Sequence, residues 1–267
     1  MQFSKDQNYA HKRIIEILSN AGIDLEHKQC SPLNNSKKNE LVIVGKAGSG
    51  KTLLLARIVS DLAKAGLEIV SGDYQLNQTS EKRSLAILAP TNKAASVIRQ
   101  QGVAATTVHR IIYTPIYDPE FEKIAEWLSG RQEKPIIDAL TSDSLERVKS
   151  FFESNKSIPG ALASAGLRGS DFITGWKRRE DPLDVGFVDE SSMLDEQQLA
   201  DLREIFSTLI LFGDPAQLAP VGNSGKMVFD ALEDEKKVNL YRIHRQEQDN
   251  PILDLAHSLA DPKVTFT

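Results

Sequence analysis

The sequence predicts an α/β fold in which a central parallel sheet lies between helices. Four short apolar runs, at 41–44, 85–89, 185–188 and 209–212, have the length of buried strands. Helical patterns alternate with these runs, and strands joined by helices form parallel sheets covered on both faces. A glycine-rich turn follows the first run and leads straight into an apolar helix.

The N-terminal part is predicted to hold a helix and a polar linker. Residues Asp6–Leu18 carry an apolar stripe at helical spacing, and Ser4 is placed to cap that helix. Residues Lys28–Glu40 are polar and are expected to connect the helix to the first strand. After the glycine-rich turn, Leu53–Ala65 is predicted to be a helix that Gly66 ends.

The remaining strands follow the same alternation. The polar stretch Ser71–Ser84 is predicted to be a loop or hairpin before the second strand. A helix over Asn92–Gln101 follows that strand, and Gly102 ends it. A further helix, Asp195–Phe206, separates the third and fourth strands.

Residues 115–181 depart from this pattern and suggest a small inserted subdomain. The region is rich in charge, contains several prolines and shows no strong strand pattern. Its helical stretches are Phe121–Leu128 and Ser144–Phe152. Trp176 stands beside basic residues and is able to stack on a base, but packing with Phe172 in a small core is the favoured interpretation.

The composition is that of an ordinary globular protein, with 40% hydrophobic and 26% charged residues among 267. The formal net charge of −5 argues against bulk electrostatic attraction to nucleic acid, but it leaves room for a local basic groove. A single cysteine, Cys30, excludes an internal disulfide and a cysteine-clustered zinc site. No apolar run has membrane-spanning length, and the polar N-terminus lacks a signal peptide, so a cytoplasmic protein with no membrane partner is expected.

The glycine-rich turn carries the pattern G-x-x-x-x-G-K-[ST], which predicts that the chain binds a nucleoside triphosphate. Gly45, Gly48 and Gly50 are expected to take positive φ, so that successive N–H groups face phosphate oxygens. The helix that follows adds free N–H groups and its positive dipole end. Lys51 would reach the β/γ-phosphates, and the Thr52 hydroxyl would ligate Mg²⁺. The predicted loop contacts are Gly45, Lys46, Ala47, Gly48, Ser49, Gly50, Lys51 and Thr52.

Two carboxylates, Asp189 and Glu190, follow the third apolar run. The carboxyl ends of parallel strands form the ligand-binding edge of such a sheet. Asp189 is therefore a candidate Mg²⁺ ligand opposite Thr52, and Glu190 is a candidate base for the attacking water. Gln217, in the turn after the fourth run, is a candidate sensor of the γ-phosphate because an amide both donates and accepts hydrogen bonds.

Six segments resemble the motifs of superfamily 1 helicases and stand in the same order. They are GKAGSGKT (45–52), LAPTNKAA (88–95), TTVHRII (106–112), VDESSM (188–193), GDPAQLAPV (213–221) and LYRIHRQ (240–246). The second and third are similar to those of the RecD/Dda-like branch, which moves 5′→3′ on DNA. The resemblance implies a RecA-like P-loop NTPase domain that hydrolyses ATP with Mg²⁺ while it binds single-stranded DNA or a single-strand/duplex junction.

The resemblance also implies roles for individual residues. Gln7, in the segment FSKDQNYA, would bond the adenine edge. Arg245 would contact the γ-phosphate, a role that suits its fixed positive charge. The expected catalytic set is Lys51, Glu190, Gln217 and Arg245, and Gln217 would couple the γ-phosphate to the DNA groove. The residues expected to line the DNA path are Pro90, Thr91, Asn92, Thr107 and His109.

The same resemblance divides the chain into parts. Residues 1–40 would hold the adenine-reading helix and linker, and residues 41–114 with 182–246 would form the RecA-like ATPase domain. Residues 115–181 would form an inserted small subdomain, at the place where this family carries a small domain that helps to split the duplex. Residues 247–267 look like the start of a second motor domain, so we expect a truncated fragment with weak or no hydrolysis of its own.

Two other functions fit parts of the pattern. An accessory or regulatory ATP-binding module would use this domain without moving on DNA, beside other replication or recombination proteins. A small-molecule kinase would share the phosphate loop, but kinases lack the APTNKAA and GDPAQL segments. A motor is distinguished from an accessory module when single-stranded DNA and ATP change each other's affinity.

Overall fold

The structure is a computed structural model that falls into two compact units. The described residues are 3–31, 38–70, 83–137, 139–155, 157–217, 227, 230 and 232–242. Described residues below 113 and above 179 form the first unit, and residues 113–179 form the second.

Helices and strands alternate through the described residues. The helices are α1 (Lys5–Asn20), α2 (Lys51–Lys64), α3 (Asn92–Gln100), α4 (Val108–Ile112), α5 (Pro119–Leu128), α6 (Ser142–Asn155), α7 (Ile158–Ser164), α8 (Gly169–Phe172) and α9 (Glu196–Ile205). The strands are β1 (Ile23–Asp24), β2 (Gln29–Cys30), β3 (Asn39–Gly45), β4 (Glu68–Ile69), β5 (Ser84–Ala89), β6 (Thr106–Thr107), β7 (Tyr113–Tyr117), β8 (Ile173–Arg178), β9 (Leu183–Val188), β10 (Phe206–Gly213) and β11 (Lys237–Leu240).

The first unit is built on one parallel sheet, which among the described residues has seven strands. The strand order is β11-β3-β10-β9-β5-β4, and β6 pairs with the end of β5. Every pairing in this sheet is parallel. The predicted α/β fold, a RecA-like central parallel sheet flanked by helices, is confirmed.

The central strands are buried on both faces. Every residue of β5, β9 and β10 is buried, which explains why their sequences read as near-continuous apolar runs instead of alternating ones. Helices α1 and α2 contribute side chains such as Ile14 and Leu54 to the same core, where they meet Ile43 and Phe212. The core therefore fixes the position of the strand ends that carry the predicted site.

The helix ends follow the sequence signals. The Ser4 hydroxyl accepts a hydrogen bond from the Gln7 N–H at 3.3 Å, and the Gln7 side chain returns to the Ser4 N–H, a complete capping box. Helices α2 and α3 end just before Gly66 and Gly102, and both glycines have positive φ.

The segment Lys28–Glu40 is less uniform than predicted. Strands β1 and β2 form a small antiparallel pair with Ile23 opposite Cys30, and β3 begins at Asn39. Two-residue strands are too short to leave a repeating pattern in the sequence, which explains why the pairing was not predicted. Most of the predicted loop or hairpin Ser71–Ser84 lies outside the described residues.

The second unit contains a strand pair that the sequence did not predict. Strands β7 and β8 are antiparallel, with Pro115 opposite Trp176. Their residues alternate between half-buried and exposed, and the proline and charges hide the pattern. Phe172 is 2% exposed and packs in this unit's own core, whereas Trp176 is 46% exposed. The predicted core placement is correct for Phe172 and wrong for Trp176.

No helix within the described ranges combines the length and the apolar character that crossing a membrane requires.

Candidate nucleotide-binding site

The glycine-rich turn links the end of β3 to the start of α2. Gly48 and Gly50 have φ of 85° and 84°, in the left-handed region that favours glycine. Gly50 is also the N-cap of α2, so the free N–H groups of that helix begin directly after the turn. The turn therefore has the backbone shape that was predicted for phosphate binding at these two positions.

Gly45 is required for a different reason than predicted. Its φ is not positive, so the expectation of a left-handed backbone there is wrong. A Cβ atom at Gly45 would lie 2.5 Å from the Ser49 Oγ and 3.0 Å from the Leu240 Cβ. The close approach of the loop and of β11 leaves no room for a side chain.

Lys51 is held beneath the loop. Only 8% of the residue is exposed. Its Nζ donates hydrogen bonds to the carbonyl oxygens of Gly45 and Lys46, the latter at 3.2 Å, and lies 4.0 Å from an Asp214 carboxylate oxygen. The ammonium group is thus fixed where the strand ends and the helix begins.

Asp189 follows β9 and is 5% exposed. Its N–H donates to the Leu88 carbonyl at 2.9 Å, and its carboxylate accepts the Glu190 N–H at 3.0 Å. Burial and then the Glu190 charge raise the pKa of Asp189 to about 6, although that hydrogen bond and the Lys51 charge act in the opposite direction. Burial and the Glu190 charge outweigh the positive charge of Lys51 at this carboxylate, which suits a bound cation.

Glu190 has a strained backbone. Its φ of 55° and ψ of 35° are left-handed, and such a conformation costs a residue with a side chain ~1 kcal/mol or more. Its carboxylate accepts a hydrogen bond from the Gln217 amide, and the Gln217 Oε1 accepts one from the Ser192 hydroxyl at 2.7 Å. Glu190 and Gln217, which are far apart in the sequence, are therefore in direct contact.

A pocket of about 540 Å³ brings the predicted chemical groups together. Its lining residues are Ala47, Gly48, Gly50, Lys51, Thr52, Leu53, Ala56, Gln101, Asp189, Glu190, Asp214 and Gln217. The Thr52 hydroxyl and the Asp189 carboxylate offer oxygen ligands of the kind that Mg²⁺ prefers. No group of three or more His, Cys, Asp or Glu residues in the described part could hold a metal ion.

Gln7 lies beside the phosphate loop and is 2% exposed. Its Nε2 donates to the Ser49 carbonyl at 3.0 Å, and its Oε1 accepts the Ser4 N–H at 3.0 Å. Both ends of the amide are therefore engaged: the nitrogen joins α1 to the loop, and the oxygen caps the start of α1. The adenine-reading role of Gln7 stays a prediction.

The predicted DNA-contacting residues follow strands β5 and β6. Pro90 comes directly after β5, and Thr91 caps α3 with a hydroxyl that accepts a hydrogen bond at 3.1 Å. Asn92 and His109 are exposed, whereas Thr107 is buried at the end of β6. Partial burial of its imidazole lowers the pKa of His109, although the residue as a whole is exposed. These residues share one edge of the sheet, and their role stays a prediction.

Some site residues were not predicted, and one predicted residue is not described. Asp214 and Gln101 line the pocket, as do Leu53 and Ala56. Asp214 follows an apolar strand directly, a signal that was available, whereas the position of Gln101 depends on how α3 lies in the fold. Arg245 lies outside the described residues.

The parallel sheet, the phosphate loop and the carboxylates at its edge define a RecA-like P-loop nucleotide-binding domain. The AAA_30 family model, described as an AAA domain, matches residues 27–266, and the chain belongs to that family. The predicted P-loop nucleotide-binding domain is confirmed at the level of this family.

Solved structures of helicases show weaker similarity. The Pif1 helicase from Candida albicans is 20% identical with a TM-score of 0.48, and the match covers 99% of this chain and 45% of that one. A structure that describes DNA unwinding at forked duplexes by two coordinating Pif1 helicases is 18% identical with a TM-score of 0.44, and the match covers 99% of this chain and 49% of that one. Bacteroides sp Pif1 in complex with ADP-AlF4 is 17% identical with a TM-score of 0.41, covering 92% and 43%. The chain spans less than half the length of these three chains, and no curated protein matches it.

Proposed function

We propose that this chain is the ATP-hydrolysing motor domain of a DNA helicase or translocase that couples hydrolysis to single-stranded DNA and moves 5′→3′. One observation carries the proposal. A single pocket at the carboxyl edge of the sheet gathers Lys51, Thr52, Asp189, Glu190 and Gln217, the groups that phosphoryl transfer to water requires.

Each group has a distinct task in that reaction. The loop N–H groups and Lys51 bind the phosphates, and Glu190 accepts the proton of the attacking water. Thr52 and Asp189 would hold Mg²⁺, which when bound neutralises charge on the phosphate oxygens. Gln217 donates to Glu190 and lies where it can also reach a phosphate oxygen. Arg245 is the proposed further contact to the γ-phosphate.

Backbone contacts support coupling to DNA. Leu88 pairs with Val188 across β5 and β9, and the Asp189 N–H donates to the Leu88 carbonyl. The proposed DNA segment that starts at Pro90 is therefore only two residues from a strand position that is hydrogen-bonded to the backbone of Asp189. A shift of the segment that starts at Pro90 would therefore move a close neighbour of Asp189, and a shift at Asp189 would move a close neighbour of Pro90. The 5′→3′ direction rests on the RecD/Dda-like resemblance.

The test is steady-state ATP hydrolysis, with and without oligo-dT, by the full-length protein that carries this domain. The proposal predicts stimulation by DNA, and Lys51→Ala should abolish both hydrolysis and nucleotide binding. Glu190→Gln should bind nucleotide normally and lose about 10²–10⁴-fold in kcat, because it removes only the base. Lys64→Ala is the matched control, since that lysine lies in the last turn of the same helix beside Asp61.

A second measurement separates the motor from the accessory module. Duplexes with a 5′ or a 3′ single-stranded tail are offered with ATP, and unwinding of the 5′-tailed duplex alone is the expected result. ATP binding that does not respond to DNA would support the accessory module instead and would contradict the motor proposal.

A further inference from the structure

Ser192 takes part in a chain of hydrogen bonds that ends at the proposed base. The Asp214 backbone N–H donates to the Ser192 Oγ at 3.3 Å, and the Ser192 hydroxyl donates to the Gln217 Oε1 at 2.7 Å. The Gln217 Nε2 then donates to a Glu190 carboxylate oxygen. Ser192 is 0% exposed, so water does not compete for its hydroxyl. We call this series the Ser192 chain.

The direction of the Ser192 chain is set by the groups at its two ends. The Asp214 backbone N–H can only donate, and it occupies one lone pair of the Ser192 oxygen. The Glu190 carboxylate can only accept, so the Gln217 NH₂ group faces it and the Gln217 carbonyl receives the Ser192 hydroxyl proton. The opposite amide orientation would place two acceptor oxygens, of Gln217 and Glu190, against each other.

We propose that Ser192 is a positioning residue that fixes the amide orientation of Gln217, so that its NH₂ group faces Glu190 and the nucleotide pocket. This inference rests on the proposed function, because it assigns Ser192 to the same hydrolysis site. One N–H of Gln217 bonds Glu190 while the second is directed to the pocket that Gln217 lines. Ser192 itself is not among the lining residues and acts through Gln217.

Ser191 provides a matched control. It precedes Ser192 in the same 3₁₀ helix, Ser191–Met193, and is also 0% exposed. Its hydroxyl has no hydrogen-bond partner among the residues that the structure describes. Ser191→Ala therefore removes a buried hydroxyl from the same turn and leaves the Ser192 chain intact.

The experiment measures ATP hydrolysis and nucleotide affinity for the intact protein and its Ser191→Ala, Ser192→Ala and Gln217→Ala variants. Ser192→Ala should lower kcat about tenfold with little change in nucleotide affinity, because it removes one buried hydrogen bond that orients the amide. Ser191→Ala should match the wild type. In the Gln217→Ala background, Ser192→Ala should have less than about twofold further effect, since both changes break one chain.

A spectroscopic measurement tests the inference without hydrolysis. The side-chain NH₂ resonances of Gln217, assigned through Gln217→Ala, should shift in Ser192→Ala and stay in place in Ser191→Ala. Ser192→Cys has a similar volume and a weaker donor, so it should shift the Gln217 resonances by an intermediate amount. If Ser192→Ala does not fold, the same measurement is made on Ser192→Cys.

Two results would overturn the role of Ser192. One is an equal effect of Ser191→Ala and Ser192→Ala on kcat and on the Gln217 resonances. The other is an undiminished effect of Ser192→Ala when Gln217 is already alanine. Failure of the proposed function looks different, because the wild type would then lack DNA-stimulated hydrolysis while the Gln217 resonances would still respond to Ser192→Ala.

Discussion

Strand β9 has a buried aspartate near each end, and the surroundings of the two carboxylates differ in charge and in hydrogen-bond donors. Asp184, near the start, is 7% exposed, and Asp189, just past the end, is 5% exposed. Asp184 is surrounded by donors: the Arg83 Nε at 3.0 Å, the Ser84 N–H at 2.6 Å and the Ser84 hydroxyl at 3.1 Å. Asp189 has the Glu190 N–H as a donor and the Glu190 carboxylate as a repelling neighbour.

The difference separates what stabilises the fold from what serves the site. The Arg83 guanidinium also donates to the carbonyls of Ala21 and Ser31, so the Asp184 end ties the β1–β2 region to the sheet. At the Asp189 end the protein leaves negative charge poorly compensated. Such a conflict is expected where a ligand supplies the missing charge.

The largest expected effect on stability comes from removing the negative charge of Asp184, which the Arg83 guanidinium compensates. Asp184→Asn leaves the Arg83 charge buried without its partner, and we expect a loss of about 3–5 kcal/mol in the free energy of unfolding, measured by urea denaturation. Arg203→Ala is the control, because it breaks the more exposed Arg203–Glu40 pair at 2.9 Å and should cost about 1 kcal/mol or less. Equal losses in the two variants would show that the buried Arg83–Asp184 pair contributes no more to stability than the more exposed pair.

Removing the negative charge of Asp189, just past the end of β9, should stabilise the protein. The pKa of Asp189 is raised to about 6, so the native state binds its proton more tightly than the unfolded state. Stability from this group is therefore complete below about pH 4 and is lost as the pH rises through about 6. Asp189→Asn, measured with a chelator present, should gain about 2 kcal/mol at pH 7 and nothing at pH 4, while ATP hydrolysis is lost. No gain at pH 7 would show that the charge is compensated after all.

A change in the middle of the same strand should alter stability alone. A Cβ atom at Gly186 would lie 2.9 Å from the Phe206 ring, so Gly186→Ala should cost about 2 kcal/mol through overpacking. Nucleotide affinity should be unchanged in a binding titration. Phe206→Leu in the same chain should recover part of the loss, and a purely additive double variant would argue against the contact as the cause.

The smallest effect is expected at Asp6, a carboxylate that is well supplied with donors. Burial would raise the pKa of Asp6, but hydrogen bonds from the Arg242 N–H, the Ser4 hydroxyl and the N–H groups of Tyr241 and Gln7 lower it to about 2. Its contribution is therefore present above about pH 4 and is lost as the pH falls through about 2. After allowance for solvent screening, Asp6→Asn should cost about 1 kcal/mol at pH 7 and nothing near pH 2, measured by thermal unfolding.

Ser4→Ala is the comparison for that variant. It removes the helix cap but keeps the bonds from Asp6 to Tyr241 and Arg242 at 2.8 and 3.0 Å. Its cost, about 1 kcal/mol, should depend less on pH. A pH dependence as steep as that of Asp6→Asn would contradict the role given to the carboxylate.

The sequence predicted those parts of the molecule that local patterns determine. The buried strands β5, β9 and β10 were visible because both of their faces are apolar, and the phosphate loop because its glycines stand at fixed spacings. Strands β7 and β8 were missed because half of each strand is exposed and the pairing joins residues about 60 positions apart along the chain.

The contacts within the site depended on the register of distant strands. Leu211 pairs with Val188, and this register brings the turn after β10, with Asp214 and Gln217, beside Glu190 and Ser192. No spacing in the sequence states that register. The space restriction at Gly45 was likewise hidden, since it depends on Leu240 in β11, a strand that is distant in the sequence but pairs directly with β3.

The first donor of the Ser192 chain has a consequence for how variation acts on this site. That donor is the main-chain N–H of Asp214, which every residue type except proline provides. Mutational scanning of position 214 would therefore report on its side chain, with proline as the one substitution that also removes the first donor of the chain. The hydrogen bond that the backbone gives to Ser192 would persist through sequence drift that changes the side chain at this position.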